Sequence, residues 1–166
     1  MAGAVEIVDQ LMAARKTLGG IPQWRPVGER GEYRPVIPLD VDGVGTDCHV
    51  ELNAYPNITD ELRFRIMIFA PQCVWRVDYV TDETHVNPLG TGLDIPDGLF
   101  AEPHYHAWAD NRRFSNNNAL SNRLPIARIL PNLRTFDATF RWFCGETNIA
   151  QPPAGLIELP PRTSLL

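Results

Sequence analysis

Between residues 61 and 69 the chain alternates: Leu62, Phe64, Ile66 and Ile68 interleave with Arg63, Arg65, Met67 and Phe69. That period of two is what a strand with one buried face requires. Three further segments have strand character, 35 to 41 (PVIPLDV), 48 to 55 (CHVELNAY) and 74 to 80 (VWRVDYV). The connections among the four carry Asp42-Gly43, Pro56-Asn57 and Pro71-Gln72, too short for the crossover that parallel neighbours need. The expectation is a four-stranded antiparallel meander.

Helical spacing frames this sheet. Residues 4 to 18 place Ile7, Val8, Leu11, Met12 and Leu18 on one side of Glu6, Asp9, Gln10, Arg15 and Lys16, with Gly19-Gly20 as a stop. Residues 21 to 34 carry Pro22, Pro26, Gly28 and Gly31 and read as a loop, with Trp24 positioned to pin it to the core. From 133 to 144 helical spacing returns in Leu133, Phe136, Phe140 and Phe143, with Gly145 as the terminator and a Pro-rich tail, 151–166, across the surface. The fold class expected is therefore α+β: an N-terminal helix, the meander, a long functional loop and a C-terminal helix. A chain of 166 residues, 44% of them hydrophobic, fits one domain over 1–166.

Several function classes recede on composition. Acidic residues outnumber basic ones 20 to 15, the wrong sign for charge-driven nucleic-acid binding, so a nucleic-acid partner is unlikely. The opening MAGAVEIVDQLMAARK lacks the apolar core of a secretory signal, and no stretch has the length and apolarity of a membrane span. A cytoplasmic protein with no membrane partner is expected. Cys48, Cys73 and Cys144 form neither an even set nor a CxxC pair, so reduced thiols are expected, with Cys144 packed in the core.

Candidate chemistry concentrates between Thr81 and Ser121, where apolar periodicity fades and His, Asn, Asp, Gly and Pro accumulate. Long irregular segments of this kind are disproportionately functional. Three of the four histidines lie here, in ETHVNP (His85) and EPHYHAWADN (His104, His106), while His49 stands alone in a strand. In extended backbone His104 and His106 share a face, where two imidazoles can meet a metal, a phosphate or a reacting carbonyl; Asn87 has the same relation to His85. Two histidines are too few for zinc, so His85 or a carboxylate such as Asp78, Asp82 or Asp110 would have to join them, and no metal or other cofactor is assigned. The alternative is that these side chains brace irregular backbone.

A second pattern follows in HYHAWADNRRFS. Asp110-Asn111 form a turn, Ser115 comes after Arg-Arg-Phe, and Asn116, Asn117 and Asn118 follow. Ser115 as a nucleophile needs a base, for which His104 or His106 is the nearest candidate, and an oxyanion partner, which the asparagine amides can supply. The alternative is a polar turn. Arg63, Arg65 and Arg76 offer either a basic sheet face for a partner or a solvated one.

The order of elements, with HYHAWADNRRFS, resembles the ubiquitin-conjugating enzyme fold, in which a His-Pro-Asn motif precedes the cysteine that accepts the modifier. His104 stands in the place of the motif histidine and Ser115 near that of the cysteine; ETHVNP competes for the histidine motif, and only Ala70-Pro71 remains of the proline-rich signature. LRTFDATFRWFCGETNI looks like the late helix of bacterial relatives from antiphage operons. The resemblance implies either a catalytically inactive relative or a transferase that handles a ubiquitin-like modifier delivered by an activating-enzyme homologue and carries it as a serine oxyester. Ser115, His104, His106, Asp110 and Asn111 would then be catalytic, and His85, Asn87, Tyr105 and Trp108 would bind substrate. Two other readings stand beside it: a small toxin-like nuclease or metal-assisted hydrolase using the histidine cluster, and a non-enzymatic interaction module anchored by Trp75, Tyr79, Tyr105 and Trp108.

Overall fold

A computed structural model describes residues 2–27, 32–43, 47–55, 63–80 and 83–160. Asp82, Leu62, the Pro56-Asn57 connection, and Gly28 and Gly31 lie outside the described residues. Helix α1 (Ala4–Ala13) leads into strands β1 (Lys16–Leu18), β2 (Pro26–Val27), β3 (Glu32–Tyr33), β4 (Val36–Val41), β5 (His49–Ala54), β6 (Phe64–Phe69) and β7 (Cys73–Tyr79). Then come β8 (His85–Asn87), β9 (Gly98–Phe100), β10 (His104–His106), α2 (Trp108–Asn111), a 3-10 turn at Arg112–Phe114, β11 (Arg128–Ile129) and α3 (Phe136–Glu146).

The expected α+β meander between terminal helices is overturned, because the protein is mostly β. Nine strands form one antiparallel sheet in the order β1-β4-β5-β6-β7-β10-β11, with β3 attached to β5 and β2 to β3, and β8 and β9 form a separate hairpin. The four longest strands are neighbours, but the sheet continues past both of their edges. On one side, residues 16 to 18 leave the helix they were expected to finish and pair with Val41 to Leu39 as β1. Lys16 is the cause. Its buried ammonium donates to the carbonyls of Leu11 (2.6 Å), Met12 (3.3 Å) and Ala14 (2.7 Å), closing the C-terminal end of α1 two turns before Gly19-Gly20. On the other side, β10 emerges from the expected loop and docks on β7.

Directly paired residues of neighbouring strands point to the same face, so the register divides the sheet in two. Val50, Leu52, Phe64, Ile66, Ile68, Trp75 and Val77 form the apolar face and the core, with Tyr105 packed against it. Helix α1 contributes Val5, Val8 and Leu11 to this core, and α3 contributes Phe136, Phe140, Phe143 and Cys144. Phe136 meets Phe64 edge-on at 5.0 Å and Phe143 meets Trp75 at 5.2 Å, geometry that adds to simple area burial. The opposite face carries Glu51, Asn53, Arg65, Arg76, Asp78, His104 and His106.

Two further expectations about the C-terminal region change. Thr135 caps α3 by accepting from the Ala138 N–H, but Gly145 lies inside the helix; the chain reverses at Asn148, whose φ of 54° is the left-handed conformation that asparagine tolerates. The tail does not simply lie on the surface, because Ile157 is buried in the main core.

Candidate metal centre

The register of β7 and β10 builds the floor of the site. His104 pairs with Asp78 and His106 with Arg76, so an Arg-x-Asp and a His-x-His sequence are laid side by side on the polar face. The β8–β9 hairpin then folds over this corner and brings His85 onto the pair. Ring centroids are 5.2 Å apart for His85 and His104, 4.8 Å for His85 and His106, and 5.2 Å for His104 and His106. One nitrogen from each of the three rings lies within 4.8 Å of the other two.

Hydrogen bonds indicate which nitrogen of each ring carries hydrogen. His104 Nδ1 is 2.9 Å from the Glu102 carbonyl and His106 Nδ1 is 3.1 Å from the Ile126 carbonyl. A carbonyl only accepts, so both Nδ1 atoms carry hydrogen and both Nε2 atoms keep a lone pair. For His85 the pattern is reversed. Its Nε2 faces the Pro125 carbonyl at 3.0 Å and Asn87 Oδ1 at 3.2 Å, again acceptors, which leaves Nδ1 as the free lone pair. The Asn87 amide cannot be turned the other way, because its Oδ1 accepts from the Ala127 N–H while its Nδ2 donates to the carbonyls of Pro96 and Ala127. Each imidazole is thus held by a backbone carbonyl on one nitrogen with a lone pair on the other, the arrangement that orients histidine for a metal.

A carboxylate completes the group. Asp78 Oδ2 lies 3.5 Å from His104 Nε2 and 3.1 Å from His106 Nε2, so an anionic oxygen faces two lone pairs. Arg76 bonds both the carboxylate and a ring: its Nε donates to Asp78 Oδ2 at 2.6 Å and its Nη2 to His106 Nε2 at 2.9 Å. Arg65 Nε holds the other carboxylate oxygen at 2.7 Å and its Nη2 pairs with Glu83. Burial would raise the Asp78 carboxyl, but its contact with His106 and the charges of Arg76 and Arg65 hold it well below the usual carboxylate range. Burial pushes His106 down to about 4 in spite of the neighbouring Asp78 carboxylate, which favours the protonated ring, and burial lowers His85 as well. At neutral pH His106 therefore offers a lone pair rather than a proton.

The remaining candidates are placed elsewhere or act as braces. Ser115 lies after the 3-10 turn with its Oγ accepting from the Ser121 N–H at 2.9 Å, and the bonded ring nitrogens of His104 and His106 are committed to the groups above. Asn111 is buried, donating to the carbonyls of Ala107 and Ile126 and accepting from the Ile126 N–H; it fixes the segment that carries the carbonyl behind His106. Asp110 pairs with Arg128 at 2.7 Å. Tyr105 stacks on Trp75 at 5.5 Å on the opposite face, and Trp108 is buried with its indole N–H donating to Asp9. His49 stacks on Phe69. Cys48 and Cys144 are buried and Cys73 is partly so, and burial drives the thiols of Cys73 and Cys144 up to about 11 and about 12.

Arg65 and Arg76 enter the site as more than a solvated strand face, and Asp78 reaches the histidines whereas Asp110 pairs with Arg128. The signal was the match between two strands, RVD at 76 to 78 and HYH at 104 to 106, visible only once their pairing is known. No protein-family model, no curated protein and no solved structure matches this chain. Among the described residues, no helix is long and apolar enough to cross a membrane.

Proposed function

We propose that His85, His104 and His106 bind a divalent transition-metal ion, zinc by preference, and that the protein is a metal-assisted hydrolase. The supporting observation is the clustering of three imidazoles, one nitrogen of each within 4.8 Å of the other two and each ring held by a backbone carbonyl, beside a buried carboxylate. Acceptors without hydrogens repel one another when gathered out of water, and a cation removes the conflict. Imidazole donors suit zinc and its neighbours in the first transition row. Asp78 stays outside the ligand set in this reading, because both of its oxygens are held by arginines. Three protein ligands leave a coordination position for water, and an ion so held lowers the pKa of that water to about 7 and polarises a bound ester. The partly exposed His85 and Arg76 open this position to the polar sheet face. The reduced thiols fit a cytoplasmic setting for the same protein.

The test is titration of metal-stripped protein with zinc and then cobalt, followed by calorimetry and visible absorption. A single ion per chain is expected, with a tetrahedral cobalt spectrum. His104→Gln and His106→Gln should each weaken binding by about a hundredfold or more, while circular dichroism confirms that the variants remain folded. Zinc-dependent release of nitrophenolate from nitrophenyl esters and phosphates tests the hydrolytic part. Folded wild-type protein that takes up neither ion overturns the proposal; an ion bound without turnover removes the hydrolase and leaves the metal centre.

A further inference from the structure

Arg76 stands where a cation is least expected, with one guanidinium nitrogen on a lone pair that a metal would claim. Its Nη2 donates to His106 Nε2 and its Nε to Asp78, while its side chain remains 33% exposed. Among the described residues its Nη1 makes no hydrogen bond. A metal at His106 Nε2 would displace Nη2 and leave the anchor to Asp78 in place. The guanidinium would then present an outer edge beside the ion's remaining coordination position.

Charge identifies what that edge and that position accept together. Within the ion-paired group itself, a divalent ion, Arg65 and Arg76 stand against Asp78 and Glu83, an excess of two positive charges. A planar donor fork next to a metal matches oxyanions, since guanidinium bonds two oxygens in parallel. Two uncompensated charges favour a dianion over a carboxylate or a phosphodiester, each of which carries one negative charge. Resting on the metal-centre reading above, we infer that the site recognises a terminal phosphate group, bound jointly by the ion and by Arg76. Arg65 acts as a positioning residue: it holds the second oxygen of Asp78, the carboxylate on which Arg76 is anchored.

Cobalt-loaded protein freed of excess metal is titrated with inorganic phosphate and, in parallel, with acetate, and the visible absorption of the bound ion is followed. Phosphate should shift the spectrum saturably in the wild type, and acetate should do so at least about tenfold more weakly. Arg76→Gln should weaken the phosphate response by about tenfold or more, as loss of a charge-assisted fork does, and Arg76→Lys should restore part of it. Cobalt itself should bind Arg76→Gln as tightly as the wild type or more tightly, because the competitor for His106 is gone; retained cobalt also shows that the variant is folded. Equal phosphate affinity in wild type and Arg76→Gln, or equal responses to acetate and phosphate, overturns the inference while leaving the metal centre standing. Wild-type protein that binds no cobalt removes the metal centre and this inference with it.

Discussion

His106 is a neutral imidazole in a charged neighbourhood, and that has a consequence for stability in acid. Its folded-state pKa is pushed from 6.5 to about 4 by burial. Between those values the unfolded chain takes up a proton that the folded chain refuses, so stability falls as pH drops from 6.5 towards 4, and none of this loss is present above 6.5. Asp78, also lowered, adds its own loss only below its unfolded value of 3.8. The urea midpoint of the wild type should therefore fall through the higher window, and His106→Gln should show a shallower slope there; identical slopes would show that His106 does not set the acid limit. Lys16 shows the same logic in a structural role. A buried ammonium is tolerated because three carbonyls at a helix end receive it.

At the scale of elements, the β8–β9 hairpin is the part of the site free to adjust. Its strands pair only with each other, its outer residues Val86 and Leu99 are 61% and 67% exposed, and Asn87 and His85 tie it to residues 125–127. Four-coordinate zinc with bonds of about 2 Å holds its ligands roughly 3.4 Å apart. The three donor nitrogens spread over as much as 4.8 Å, so the ion must draw them together. The floor strands β7 and β10 sit within the main sheet, which leaves the hairpin to move. Hydrogen exchange of the amides at 85–87 and 98–100 should slow when zinc is added, with little change in β5 and β6. Uniform protection across the sheet, or none in the hairpin, would mean that the ion does not close this element.

For the whole molecule, a ligand that binds only the folded state raises its stability. Zinc at a hundred times its dissociation constant should add about 2.7 kcal/mol, or roughly 5–10 °C in melting temperature for a domain of this size. His104→Gln should lower or abolish that increment. A calorimetric scan with and without zinc reads it directly, and a wild-type melting temperature indifferent to zinc would contradict a site that exists only in the native fold.

Much of this architecture was legible along the chain. Alternation at Phe64, Ile66 and Ile68 marked β6, short connections marked antiparallel neighbours, and the three histidines of the polar segment were marked as candidates for a shared site. These are local properties, set by backbone periodicity and by the length of chain available to turn. The breadth of the sheet was hidden because β1 and β10 are three-residue strands: the first depends on a lysine curling back onto a helix end, and the second interrupts two histidines with a single tyrosine. Asp78 and Arg76 joined the site through the register of β7 and β10, and the carbonyls of Glu102, Pro125 and Ile126 through loops that run behind the rings. Strand pairing brings together residues that are distant along the chain, and which nitrogen of an imidazole points inward depends on the acceptor behind it, a contact that no spacing of letters encodes.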